Sequence, residues 1–425
     1  MKNIISQSTD TFTHRLTTLT RRLTTLTILL LVPFFAGASK GAESIAETIT
    51  EGEAKLDFRL RYENVDQGLP VNRDGDAVTL RSRVTYTTSD FNGFSAQFEA
   101  DNVTAVDNDS YNSTINGATA NAVIADPRGT EINQVWLQYR NWNTNFKYGR
   151  QRILLDNQRF VGGVGFRQNE QTYDAFSVTH NGLEDTSLFY ARVNNVNRIF
   201  GESSAAGDND SKTDLVNAKF SGWELGSLTA YAYLIDNKDV PRFSTDTFGL
   251  RFDGKQHSDE LTFSYTLEFA RQKDSANNPL NYSANYFLVE GSVGVSGVQL
   301  GLGVEQLGSD QGLASFITPL ATLHKFQGWT DQFLTTPAVG ITDLYFSIGG
   351  KISGANLSLV YHNLSGDVNN TAGQDDLGSE IGFVAAKDFG HYGLSLKYAD
   401  YSAGDVSFAN SDTRKLWLTA TAKFQ

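Results

Sequence analysis

The chain has 425 residues, no cysteine, one methionine and 12% aromatic residues, with no linker, charge block or composition shift after about the first forty positions. That uniformity argues for one large domain rather than several. The formal net charge of -13 argues against a nucleic-acid partner, which asks for a basic chain.

The first segment reads as a targeting sequence. Arg15, Arg21 and Arg22 give a positive start, Leu26 to Phe35 an apolar stretch, and Ala36-Gly37-Ala38 a small-residue cleavage site. We expect residues 1–38 to be removed and residues 39–425 to form a single barrel domain. Without that leader the chain keeps 31 basic and 47 acidic side chains, a net of -16. The apolar stretch is too short for a transmembrane helix, and no later run reaches the necessary length. The leader also contains a direct repeat, Arg15 to Thr20 and Arg22 to Thr27, to which we assign no role.

Period-two alternation then recurs throughout. Leu56, Phe58, Leu60 and Tyr62 alternate with Lys55, Asp57, Arg59 and Arg61; Val78, Leu80, Val84 and Tyr86 face away from Arg81 and Arg83. Phe94 to Asp101, Gln134 to Tyr139, Asn145 to Gly149, Thr172 to Thr179 and Thr186 to Val193 continue it. Eleven further strands are expected near 214–220, 227–235, 246–253, 260–271, 282–294, 299–306, 341–350, 355–363, 379–387, 393–400 and 413–424, about eighteen in total.

The connections sort by length. Those at 89–93, 141–144, 181–185, 221–226, 254–258, 295–298, 351–354 and 388–392 are short, and those between them are long. Alternating short and long loops predict an all-β fold: a transmembrane antiparallel barrel with short periplasmic turns and long extracellular loops in the outer membrane of a Gram-negative bacterium. The lipid bilayer is its expected surroundings. Mean hydropathy of -0.32 does not oppose this, since lipid-facing and lumen-facing residues average out along a strand. The last strand, Leu416 to Phe424, ends on an aromatic resembling an insertion signal, so outer-membrane insertion machinery is an expected partner; here Gln425 follows it.

Charged side chains cost little on the lumen face, whereas Arg or Lys at mid-depth on the lipid face costs ~2–4 kcal/mol. That difference turns Arg59, Arg61, Arg81, Arg83, Lys147 and Arg251 inward. The loop from 150 to 171 mixes Arg150, Arg152, Arg159 and Arg167 with Ile153, Leu154, Leu155, Phe160 and Phe166. It is too apolar for water and too basic for lipid, so we expect it to fold into the lumen and narrow it. Guanidinium groups in a column would pass an acidic sugar or small anionic solute from site to site. The plainer alternative is a general diffusion porin whose charges only keep the lumen wet. The loop from 307 to 340 is helix-compatible from Leu320 to Trp329 and is expected to cap or line the outer mouth.

Enzyme signals are weak: the histidines have no metal-ligand spacing and there is no G-x-S-x-G. The remaining hydrolase reading needs His362 beside a cross-strand serine on the outer wall. No cofactor is called for.

Gly149-Arg150-Gln151, Arg159-Phe160-Val161-Gly162, Gly165-Phe166-Arg167-Gln168-Asn169, Thr172-Tyr173-Asp174-Ala175 and the run Phe316 to Phe333 resemble the signature of the alginate-export porin family. The resemblance implies an eighteen-stranded barrel with a constriction for an acidic polysaccharide, formed at Arg150, Arg152, Arg159, Arg167 and Asp174. One departure is the tight turn from Asp388 to Tyr392, where the exporter carries a sizeable periplasmic plug loop. That makes the chain look more like the family's solute porins than its polymer exporter.

Overall fold

Alternation closes the chain into a cylinder. The computed structural model describes residues 44–68, 74–405 and 411–425; the expected leader lies outside them. The first strands are β1 (Glu53–Gln67), β2 (Gly75–Thr87), β3 (Phe94–Ala105), β4 (Gly129–Asn141), β5 (Thr144–Gln151) and β6 (Thr172–Leu183). Next come β7 (Thr186–Asn197), β8 (Asp208–Trp223), β9 (Gly226–Ile235), β10 (Thr245–Ser258), β11 (Leu261–Asp274), β12 (Ser283–Val295) and β13 (Val298–Leu307). After two short loop strands, β14 (Ser309–Asp310) and β15 (Ala314–Ser315), follow β16 (Ile341–Ile352), β17 (Ala355–Ser365), β18 (Asp376–Phe389), β19 (Tyr392–Ser402) and β20 (Thr413–Phe424). Each barrel strand pairs antiparallel with its neighbours, and β20 pairs with β1 from Leu56 opposite Phe424 to Gln67 opposite Thr413. Eighteen strands therefore close with no free edge, as the sequence predicted.

The two faces differ as a membrane barrel requires. Leu60, Phe98, Leu137, Phe248, Phe269, Val289, Leu302, Phe346, Ile381 and Leu418 are exposed on the outside, while the alternate positions Arg61, Glu99, Gln138, Glu268, Glu305 and Glu380 are buried in the lumen. An arginine at Leu302, midway along β13, is expected to cost about 2–4 kcal/mol in a bilayer. The check is the urea midpoint of the liposome-inserted barrel; a variant equal to wild type would mean that this belt does not meet lipid.

The short turns lie at one end, with two residues each at Trp142–Asn143 and Gly390–His391. A helix unannounced by the sequence, α1 (Ile45–Thr50), sits at that end. Ser44 caps it through a bond from the Glu47 N–H at 3.2 Å, and the Ser89 N–H donates to Thr48 O at 3.1 Å.

Candidate functional site

Both long loops expected to be unusual run into the barrel. Residues 152–171, between β5 and β6, meet residues 308–340, between β13 and β16. The Gly162 N–H donates to Leu320 O at 2.8 Å, the Thr322 N–H to Gln158 O at 3.1 Å, and Val161 bridges Leu320. The helix expected over 320–329 reduces to a 3-10 turn, Leu323–Lys325, because the backbone there is spent on the neighbouring loop.

Three groups of side chains hold these loops to the wall. At the first, Arg83 grips Asp101 at 2.5 and 2.6 Å and also reaches Glu170. Arg152 bonds Glu170 at 2.5 and 2.6 Å and Glu99 at 2.5 Å. Burial works against the Glu170 charge, but the bonds and charges of Arg152 and Arg83 outweigh it and hold its carboxyl at about 2. A carboxyl depressed in the fold contributes fully above the ordinary value of 4.5 and loses that contribution as pH falls toward about 2. Residues 152–171 are therefore expected to stay docked down to the ordinary glutamate range and to come loose only below it, measured by hydrogen exchange of their amides. Loosening that begins near pH 6, where free histidine titrates, would count against this anchor.

At the second group, the loop tip meets β1, β2, β19 and β20. Arg59 donates to Gly165 O at 2.8 Å, Arg167 O at 2.6 Å and Gln168 Oε1 at 3.1 Å; Arg61 donates to Phe166 O at 2.7 Å. Arg81 pairs with Asp57, and Arg167 with Glu63 at 2.9 Å and Asp331 at 3.3 Å. Lys415 reaches the same Asp331 at 2.7 Å. Lys397 lies over Trp329 at 4.0 Å and Phe166 at 4.7 Å and bonds His324 Nε2 at 2.7 Å. His324 Nδ1 faces Asp331 at 2.7 Å, so a neutral ring donates to the carboxylate and accepts from the ammonium. Burial is the main cause that pushes His324 down to about 3, which keeps the ring neutral. Six cations (Arg59, Arg61, Arg81, Arg167, Lys397, Lys415) meet five carboxylates here (Asp57, Glu63, Asp126, Asp331 and, from β18 beside Lys397, Glu380). Among the described residues, Arg59, Arg61 and Lys397 have no carboxylate at ion-pair distance.

The third group is the opposite wall. Arg159, its side chain wholly buried, bonds Glu305 at 2.6 Å, Thr318 at 3.1 Å and Gln327 at 3.0 Å. Phe160 enters a ring cluster of Tyr231, Tyr233, Tyr286 and Phe316. Arg251 is held by Asp253 and Glu268, both at 2.6 Å. Beyond it, Glu380 accepts from the Thr330 N–H at 3.0 Å and the Thr330 hydroxyl at 2.6 Å, as well as from the Trp329 N–H. Gly382 makes this docking possible, because a Cβ there would lie 2.6 Å from the Trp329 ring.

Two expected pore residues are corrected by register. Arg150 pairs across from Val135 and Asp174, in phase with outward Tyr148 and Phe176, so Arg150 and Asp174 bond each other at 2.9 Å on the outer wall. Lys147 does face inward, over Trp136 at 4.3 Å, with no ion pair among the described residues. The free guanidinium column is also corrected: Arg81, Arg83, Arg152, Arg159, Arg167 and Arg251 are neutralised, and Arg59 and Arg61 clamp carbonyls. His362 faces the lumen, bonded to Asp343 at 2.9 Å, with Tyr345 and Glu380 directly across rather than a serine. That removes the geometry for a hydrolase on the outer wall.

No family model matches the chain, and no curated protein does. Solved structures do match. Pseudomonas aeruginosa OccD3 (OpdP) is 15% identical with a TM-score of 0.68, covering 91% of this chain and 94% of its own. P. aeruginosa OccK9 (OpdG) is 14% identical with a TM-score of 0.70, covering 89% and 100%. P. aeruginosa OpdK, solved with vanillate, is 13% identical with a TM-score of 0.68, covering 89% and 99%. At these identities the likeness establishes the fold. It also corrects the family expectation: the neighbours are OccD and OccK chains, not alginate-export porins, and the polysaccharide substrate falls with that resemblance.

Proposed function

We propose that this chain is a passive outer-membrane channel for small acidic solutes, which pass beside the basic wall formed by β1, β2, β19 and β20. The observation that carries this reading is the excess of cations there, with Arg59, Arg61 and Lys397 lacking carboxylate partners among the described residues. In a narrow, low-dielectric passage uncompensated charge raises the local concentration of the opposite ion. The closed barrel and its apolar belt support the membrane setting, and the likeness to OpdK, solved with vanillate, is in keeping with a small carboxylate. A general diffusion porin is favoured by one specific observation, the neutralisation of most lumen arginines.

The reversal potential of single channels in a KCl gradient decides between them. Wild type should prefer Cl⁻, and Lys397→Gln should reduce that preference, since Lys397 belongs to the basic wall and has no carboxylate at ion-pair distance among the described residues. Equal K⁺ and Cl⁻ permeability in wild type would leave only the general porin.

A further inference from the structure

On the long-loop side of the constriction lies a cavity of about 480 Å³, within the size range of small-molecule sites. Its walls are largely apolar, with Phe200, Phe243, Ile317, Pro319, Phe333 and Leu334 among them. Most of its charged lining is already engaged. Arg159 is taken by Glu305, while Arg167 and Lys415 share Asp331.

Arg198 is the exception. Its guanidinium donates to Asn209 Oδ1 at 3.2 Å and lies 5.7 Å from the Phe200 ring, with no carboxylate at ion-pair distance among the described residues. Burial without a counter-charge lowers its pKa, yet a guanidinium remains charged at neutral pH. Its backbone is fixed in place: the Arg198 N–H donates to Gly207 O at 2.7 Å, and Asn169 of the constriction loop donates to Ile199 O at 3.3 Å. A guanidinium on an anchored backbone, lining an apolar cavity with N–H groups to spare, is an incomplete arrangement.

We propose that this cavity is an outer binding site for a monocarboxylate carrying an apolar body, held by Arg198. The fork takes the carboxylate through paired charge-assisted bonds, and the phenylalanine and proline surfaces take the rest. One free cation matches one negative charge, because a second carboxylate would face Asp331. His324 and Arg167 also line the cavity, and His324 bonds Lys397. A solute released inward thus meets the basic wall next. The site deepens the channel reading and rests on it only for direction of passage.

The test uses hexanoate, with acetate and hexanol as probes lacking the body or the charge. Calorimetric titration of the folded protein in detergent should show hexanoate binding at least about tenfold tighter than either control, and Arg198→Gln should weaken it by about tenfold or more. Arg198→Lys, which keeps the charge and loses the fork, should fall between. In bilayers hexanoate should interrupt the KCl current of wild type at lower concentration than that of Arg198→Gln. Equal hexanoate affinity in wild type and Arg198→Gln, or acetate binding as well as hexanoate, overturns the site. A protein that binds hexanoate through Arg198 but passes no current would instead sink the channel reading and leave the site standing.

Discussion

Replacing Arg159 with alanine is expected to release both lumen loops together and raise single-channel conductance several-fold. Among the described residues, Arg159 is the one side chain that bonds the wall at Glu305 and, on the second loop, both Thr318 and Gln327, while stacking 4.6 Å from the Phe326 ring. Glu305 is 3% exposed. Without its partner that carboxylate is left buried and uncompensated, a loss worth about 3–5 kcal/mol. The cost cannot spread into the barrel, because strand pairing on either side of Glu305 is backbone-made and untouched. It falls on the loops, which can leave the lumen and let water reach Glu305. Arg159→Lys should behave nearly like alanine, since a compact ammonium does not reproduce the guanidinium fork whose three nitrogens each bond a different residue. Adding Glu305→Gln to Arg159→Ala should recover part of the closed conductance by removing the orphaned charge. Unchanged conductance together with an unchanged melting temperature in Arg159→Ala would show that the loops are held elsewhere.

The wall of this barrel was legible because its signals are local. Period two along a strand and the sorting of loops by length need only neighbouring residues, and all eighteen strands were placed on that basis. The inward course of residues 152–171 was legible for a similar reason, since no other medium suits their composition. The charge state of the lumen was not. Arg159 finds Glu305 across 146 positions, and Arg167 finds Asp331 across 164. Whether a guanidinium is free depends on those distant carboxylates. Arg150 and Asp174 are a different case, because the parity shared with Tyr148 and Phe176 already pointed outward. Counting Arg150 as part of the long loop, and the family resemblance that brought in Asp174, outweighed it in the reading. The family resemblance misled for a physical reason as well: its motif residues Arg159, Phe160, Arg167 and Gln168 hold the loops in place. Likeness there reports how the plug is fastened. Arg198 left no trace in the sequence, since its proposed role lies in having no carboxylate at ion-pair distance among the described residues.

Phe160→Ala is expected to loosen the same plug from its apolar side, at about 3–5 kcal/mol for a ring lost from a packed cluster. The ring lies 5.2 Å from those of Tyr231 and Tyr286 and 5.8 Å from that of Phe316, and the tyrosine hydroxyls are committed to Glu268 and Glu305 at 2.8 Å each. Those committed hydroxyls prevent the tyrosines from closing over the gap, so the cavity persists and the loop loses its hold. Phe160→Leu refills most of the volume and should cost clearly less. The sharper comparison is with Phe166, six positions along the same loop. Its ring stacks 3.8 Å from His324 and lies under Arg61 at 4.3 Å and Lys397 at 4.7 Å. There alanine removes cation–π contacts worth about 0.5–2 kcal/mol each and uncovers two charges. Phe166→Ala should therefore move the reversal potential further toward anions, with the loops still docked. Phe160→Ala should instead make the current noisy and expose the loop to protease, with little change in selectivity. If the two substitutions exchanged these effects, the basic wall would be part of the fastening, and the solute path would have to lie beside the tyrosine cluster.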